Sequence, residues 1–170
     1  MTVANIALNE MDSHAYTFCL GNNFIDLYYT GKVCNVHAYY NTIAPIKDVQ
    51  IGVGETVWTD QLNGAECILE IHQALMITET LKNSLLNPNQ IRYDGHSLCD
   101  DPWYQYRSLG ISHRYFYLFI PLSSQGNVIC FESCTPTADE LYSLPHLTLT
   151  TDSVWSPKTV ELQPLSSKER

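Results

Sequence analysis

Ten residues in the first half of the chain, from Val49 to Trp58, alternate between apolar and other side chains. A period of two residues is typical of a β-strand with one buried face. Asn63-Gly64 follows shortly afterwards, and Asn-Gly between two strand-like runs is a strong local signal for a β-hairpin. We therefore predict a hairpin in which Glu66 to Ile71 forms the returning strand.

Further turn signals divide the rest of the chain into short apolar segments. Thr30-Gly31-Lys32 predicts a turn near the N-terminal end. Ser123 to Gly126 joins the apolar run from Tyr115 to Leu122 to a returning strand from Asn127 to Glu132. This close spacing of turns leaves room for strands and for little else.

Only two segments favour a helix. Asn89 to Tyr93 fits a single helical turn stopped at Gly95, and Thr137 with Glu140 matches an N-terminal capping box. Many short strands with two minor helices predict a mostly-β fold, closed or nearly closed. A chain of 170 residues is long enough for one domain with a real core and short for two.

The amino-acid composition limits the partners and the location that we expect for the protein. The formal net charge is −9 and no cluster of Lys and Arg occurs, so we expect no nucleic-acid partner. No apolar run is long enough to span a membrane, and the first eight residues lack the pattern of a signal peptide. The six cysteines have no metal-binding or secreted-protein spacing, so we expect reduced thiols and a cytoplasmic location.

The strongest candidate for chemistry is Asp12-Ser13-His14-Ala15, which separates a predicted strand, Ile6 to Met11, from the apolar run Thr17 to Gly21. Aspartic proteases need a carboxylate on a tight loop and a small hydroxyl residue beside it. The four residues alone also fit an ordinary surface turn, because Asp and Ser both bond to nearby backbone groups. A competing pair, Asp152-Ser153, leads into Pro157, which disfavours a long central strand there.

Two longer blocks of residues resemble a known protein family. Asp12 to Ala15, Thr17, Cys19 and Gly21 to Phe24 form one block, and Asn83 to Gly95 forms a second. Together they resemble the retropepsin-like aspartic protease domain of copia-type LTR retrotransposon polyproteins. The similarity extends from about residue 10 to about residue 160.

The resemblance implies a single domain over residues 1–170 with a closed retropepsin-like β-barrel. Its core would span about residues 6–112, and a β-hairpin and helix extension about residues 113–162. The tail, residues 163–170, is expected to be frayed. One copy of the loop supplies half a site, so the resemblance implies a homodimer that cleaves a polypeptide without a cofactor or a metal.

The resemblance also assigns roles to residues. The expected catalytic residues are Asp12 and Ser13, and the expected substrate-binding residues are His14, Ala15, Tyr16, Gly52 and Gly54. The two glycines would belong to a flap that closes over substrate, although a bulged strand in a core sheet explains them equally well. Structural support behind the loop is expected from Leu85, Leu86 and Asn87.

Two positions depart from the wider family pattern. Tyr16 stands where these proteases carry a second acidic residue, and His14 stands where most carry glycine. These departures support an alternative, a catalytically inactive domain that binds proteins or associates with itself. Integrase activity does not fit the acidic chain, and His96 with Asp100 and Asp101 fits acidic turn residues better than a metal site.

Overall fold

The computed structural model describes residues 5–37, 42–115 and 117–156. It is mostly β, as predicted, and the described ranges contain twelve strands and two short helices. The elements in chain order are β1 Ile6–Met11, β2 Cys19–Leu20, β3 Ile25–Val36, β4 Ile46–Thr59, β5 Glu66–Met76, β6 Ser84–Leu86, α1 Pro88–Tyr93, β7 Ser97–Cys99, β8 Gly110–Ser112, β9 Phe119–Pro121, β10 Ser123–Gln125, β11 Val128–Cys134, α2 Ala138–Ser143 and β12 His146–Thr150. The expected frayed tail, residues 163–170, lies outside the described ranges.

The hairpin predicted around Asn63-Gly64 is present as the antiparallel pair β4–β5. Its turn is held by Asp60, whose Oδ1 accepts the N–H of Leu62 at 2.8 Å, and Gly64 adopts a positive φ of 73°. The turn predicted at Thr30-Gly31-Lys32 is wrong. β3 continues through these residues with a shift of register, because Gly31 adopts a φ of 84° and forms an irregularity inside the strand.

The strands form two sheets. Nine belong to the larger sheet, whose path is β10–β11–β1–β6–β2–β5–β4–β3, with β12 beside β5 and a further pairing between β11 and β4. The smaller sheet has the order β7–β8–β9. Most neighbours are antiparallel, but three pairs are parallel, namely β1 with β6, β2 with β5 and β5 with β12.

Both halves of the chain contribute to one apolar core. Phe18 and Leu20 from the first half pack in the same cluster as Leu86, Ile120 and Leu149 from the second. The expected division near residue 112 falls inside the smaller sheet, where Ser112 in β8 is paired with Phe119 in β9. The strands after residue 112 belong to both sheets, with β9 in the smaller sheet and β10, β11 and β12 in the larger one.

A buried polar network ties the core strands together. Asn9 in β1 donates to Ser133 Oγ in β11 at 2.9 Å, and Asn23 donates to Asn9 Oδ1 at 2.9 Å. Ser84 in β6 donates to Asn23 Oδ1 at 2.7 Å, and the hydroxyl of Thr56 in β4 lies 2.7 Å from that of Ser133. All five residues are buried, so each hydrogen bond compensates a group that has lost its water.

The two helices form where the sequence predicts them. Asn87 caps α1, and the turn after it closes at Gly95, whose φ is 89°. Thr137 and Glu140 form the expected capping box at the start of α2. Neither helix of the described chain has the length and apolar composition needed to cross a bilayer.

Candidate active site around Asp12

Asp12 lies where the main chain leaves β1. Its N–H donates to the carbonyl of Leu86 at 2.9 Å, directly beyond the parallel pairing of Met11 with Leu86. The two strands end at the same level, and both segments that follow turn away from the sheet. The candidate loop is thus fixed to the core by a backbone hydrogen bond that does not depend on the Asp12 side chain.

The loop is tight and its tip faces solvent. The N–H of His14 donates to Asp12 Oδ1 at 2.9 Å, and the N–H of Ala15 donates to the Asp12 carbonyl at 3.3 Å. Asp12 is half-buried, while Ser13 and His14 are exposed. Within the described ranges the Ser13 hydroxyl makes no hydrogen bond.

The supporting role expected of Asn87 has a clear structural basis. Its Nδ2 donates to the Ala15 carbonyl at 2.7 Å, while its Oδ1 accepts the N–H of Asn89 as the cap of α1. Leu86 is fully buried beneath the loop, and Leu85 faces the neighbouring cavity. The segment from Leu85 to Asn87 therefore joins β1, the Asp12 loop and α1.

A second set of contacts behind the loop was not foreseen from the sequence. The hydroxyl of Thr17 lies 2.8 Å from the Gln73 carbonyl and 3.0 Å from Gln90 Oε1. Gln90 Oε1 also accepts the N–H of Phe18 at 3.3 Å, and its Nε2 donates to the Gln73 carbonyl at 3.1 Å. Gln90 is buried, and no local pattern distinguishes such a glutamine in α1 from an exposed one.

A cavity of about 580 Å³ opens beside Asp12. His14, Ala15 and Tyr16, the residues expected to bind substrate, line it together with Asp12. The far end of β3 and the residue after it also line the cavity, namely Cys34, Asn35, Val36 and His37. The cavity thus brings together the Asp12 loop and the end of β3.

Gly52 and Gly54 lie elsewhere in that hairpin. They occupy the middle of β4, between β3 and β5, with a register shift between them against β5, and they are absent from the described lining of the Asp12 cavity. A Cβ on Gly52 would lie 2.5 Å from the Tyr28 carbonyl, so the glycine permits close packing of neighbouring strands. Their position matches the bulged-strand alternative and not the tip of a flap.

The side chain of Tyr16 is 68% exposed at the mouth of the cavity. Its carbonyl accepts the indole N–H of Trp155 at 2.8 Å, and Trp155 packs edge-on against Tyr93 of α1. The segment after β12 is therefore attached to the candidate site, a contact that the sequence analysis did not anticipate. The competing Asp152 lines a different cavity.

Nucleophilic thiol chemistry is disfavoured at this cavity. Burial, with smaller contributions from Cys34 and Asp12, raises the pKa of Cys19 to about 11, so the thiol stays protonated near neutrality. All six cysteines are free. Asp100, weighed above as a metal ligand, instead pairs with Arg92 at 2.8 Å.

No protein-family model, no curated protein and no solved structure matches this chain.

Proposed function

We propose that the protein is a retropepsin-like aspartic endopeptidase that processes a polyprotein and acts as a homodimer, with one Asp12 from each subunit. The observation that carries the proposal is the attachment of the Asp12 loop to β6. A carboxylate follows β1, its N–H is held by Leu86 of the parallel β6, and α1 begins directly after β6. The same order of strand, Asp-Ser loop, second apolar strand and short helix is what the family resemblance implies.

The pairing pattern also favours a retropepsin-like closed barrel. The path β11–β1–β6–β2–β5–β4 returns to β11 through the pairing of Cys134 with Val57. The hydroxyl of Thr56 lies 3.1 Å from the Cys134 carbonyl and reinforces this junction. Closure of this kind leaves the six strands of the ring without a free edge and holds the Asp12 loop on a rigid frame.

The chemistry follows from two facing carboxylates. In the dimer the two Asp12 groups share one proton and hold a water molecule between them. The ionised group removes a proton from the water, and the protonated group donates to the carbonyl of the scissile peptide bond. Activity is expected to follow a bell-shaped pH dependence in the acidic range, because both the fully protonated and the fully ionised pair lack one of these roles.

An extended polypeptide fits the cavity. Its lining combines apolar side chains such as Val36, Leu75 and Leu85 with the Asp12 carboxylate. Among the described strands, β3 is paired only with β4 and forms the end of the sheet path. A substrate strand can therefore hydrogen-bond along a free strand edge while its side chains enter the cavity.

One observation favours the alternative, an inactive domain that binds proteins or associates with itself. Tyr16 presents an exposed aromatic ring at the position of the family's second acidic residue, next to an apolar cavity. Exposed aromatic side chains beside apolar concavities are typical of protein-binding surfaces. Both functions use the same cavity, and only the first needs the Asp12 carboxylate to react.

The two functions are separated by a cleavage assay on an unfolded protein at acidic pH, with and without pepstatin. The variant Asp12→Asn keeps the shape of the loop and removes the shared charge, so the endopeptidase proposal expects complete loss of cleavage. Asp152→Asn changes the other Asp-Ser pair and serves as a matched control with unchanged cleavage. Cleavage that survives in Asp12→Asn, or no cleavage by the native protein, would reject the endopeptidase.

A further inference from the structure

Three ionisable side chains converge on the larger sheet away from the Asp12 cavity. Glu55 of β4 is paired directly with Glu70 of β5, and His146 of β12 lies opposite Ile68, one strand further on. One ligand atom from each of Glu55, Glu70 and His146 lies within 4.8 Å of the other two. Three neighbouring strands thus place two carboxylates and one imidazole around one point.

Glu55 is the unusual member of this group. Its side chain is only 4% exposed, so its carboxyl group has lost most of its contact with water. Its close polar neighbours are the Glu70 carboxyl group and His146 Nδ1, which lies 3.4 Å from Glu55 Oε1. A buried carboxylate facing a second carboxylate is unfavourable unless a metal ion or a shared proton lies between them.

His146 is oriented to supply a lone pair at this point. Its Nε2 lies 2.8 Å from the Leu141 carbonyl, which can only accept, so this nitrogen carries the ring proton. In the neutral ring Nδ1 is then an acceptor directed at Glu55 Oε1. A histidine whose far N–H is fixed on a backbone carbonyl is the usual arrangement in metal-bound histidines, because it sets the tautomer and the ring orientation.

The carboxylate of Glu70 is also oriented by a neighbouring group. Its Oε1 lies 2.5 Å from His72 Nε2, which leaves the other oxygen for a ligand near Glu55. His72 and His146 also line a cavity of about 570 Å³. His146 itself is 39% exposed at the side chain.

We propose that Glu55, Glu70 and His146 bind a divalent transition-metal ion of the zinc type. Two carboxylate oxygens and one imidazole nitrogen match the three-ligand zinc sites that leave a fourth position for water, whereas Mg²⁺ prefers oxygen ligands alone. Tetrahedral zinc ligands lie about 3.4 Å apart, so the side chains close by roughly 1 Å around the ion. The ion links β4, β5 and β12.

The test is a titration of the metal-stripped full chain with Zn²⁺, followed by calorimetry, and with Co²⁺, followed by its visible spectrum. The proposal expects one ion per chain, a tetrahedral Co²⁺ spectrum without thiolate charge-transfer bands, and a higher Tm with Zn²⁺. Glu55→Gln and His146→Gln are expected to lower the affinity at least tenfold, and His72→Gln, which acts through Glu70, about tenfold. His14→Gln changes an exposed histidine of the other cavity and should leave the affinity unchanged.

The outcomes that overturn the proposal are specific. Equal Zn²⁺ affinity of the native protein and of His146→Gln would reject the site. Because position 146 is exposed, we expect this variant to fold, and circular dichroism checks that it does. Thiolate bands in the Co²⁺ spectrum would assign binding to cysteines instead. If the native protein binds Zn²⁺ no better than Glu55→Gln and His146→Gln do, the proposal is rejected. The three side chains are then held together by a shared proton and not by a metal ion.

Discussion

The backbone N–H of Asp12 donates to the carbonyl of Leu86 across the parallel strands β1 and β6. This bond places the candidate carboxylate without using any atom of its side chain. Asp12→Asn therefore tests chemistry with little disturbance of the fold, because it also keeps an oxygen that can accept the N–H of His14. The same bond makes β6 and the residue after it the main support of the loop.

The first prediction concerns Asn87, which caps α1 and also holds Ala15. Asn87→Asp keeps a side-chain oxygen for the cap but removes the N–H donated to the Ala15 carbonyl. We expect it to lower the free energy of unfolding by about 1–3 kcal/mol, because the Ala15 carbonyl loses its donor and faces a carboxylate oxygen instead. Asn87→Ala removes the cap as well and is expected to cost about 2 kcal/mol in total.

Urea unfolding of the two variants measures this difference, with cleavage activity recorded alongside. Asn89→Ala, at an exposed position of α1, is the control, and we expect a change within about 0.5 kcal/mol. Equal stability of Asn87→Asp and the native protein would contradict the anchoring role assigned to the contact with Ala15.

The second prediction concerns Ser133 at the centre of the buried polar network. Asn9 and Asn23 both donate to its Oγ, at 2.9 and 3.0 Å, and the Thr56 hydroxyl lies 2.7 Å away. Ser133→Ala leaves these groups without their partner in the core. We expect the free energy of unfolding to fall by about 2–3 kcal/mol, the cost of unsatisfied buried polar groups.

Chemical denaturation compares Ser133→Ala with Ser124→Ala, which removes an exposed hydroxyl from β10. We expect the exposed substitution to change stability by no more than about 0.5 kcal/mol. Equal stability of the two variants would contradict the role of the network in holding β1, β4 and β11 together.

The third prediction is a pH dependence at His96. Burial, followed by the neighbouring His113, lowers the pKa of His96 from its ordinary value of 6.5. The unfolded chain therefore binds a proton on this ring at a pH where the folded chain does not. Stability is expected to fall as the pH drops below about 6.5 and to keep falling until it reaches the lowered pKa of the folded state.

His96→Asn tests this assignment, because its side-chain oxygen can replace Nδ1 as the acceptor for the Arg114 N–H. Free energies of unfolding measured at a series of pH values should depend less steeply on pH in the variant than in the native protein. His14→Asn, which changes an exposed ring, should retain the native slope. An unchanged slope in His96→Asn would assign the acid sensitivity to other groups.

Local patterns in the sequence predict much of this fold. Asn63-Gly64, the Thr137 capping box and the helical turn before Gly95 each depend on neighbouring residues, and each is present in the structure. The turn predicted at Thr30-Gly31-Lys32 is wrong because the conformation there depends on pairing with another strand and not on neighbouring residues. The same glycine conformation serves a turn or an irregularity within a strand, and the long pairing of β3 with β4 decides between them.

Only those residues of the candidate site that are contiguous in sequence could be predicted to lie together. Asp12, His14, Ala15 and Tyr16 are neighbours in sequence and line one cavity. The partners that hold the loop come from distant positions, because Gln90 and Trp155 reach it only through the packing of α1 and the segment after β12. No spacing rule brings such residues together, so they emerge only from the structure.

The convergence of Glu55, Glu70 and His146 illustrates the same limit. Each residue sits in its own strand, and only the order β4–β5–β12 places the three ligand atoms together. The sequence analysis expected no metal because it considered residues close in the chain. Sheet topology, and not local spacing, generates this candidate site.

The central claim, an active site shared by two subunits, is tested most directly by mixing native protein with Asp12→Asn and measuring cleavage after the subunits exchange. If each site needs one Asp12 from each chain, an equal amount of the variant reduces cleavage per native chain to about half, since half of the native chains then have an inactive partner. If cleavage per native chain is unchanged by the variant, each Asp12 acts within its own subunit, and the dimeric dyad is contradicted.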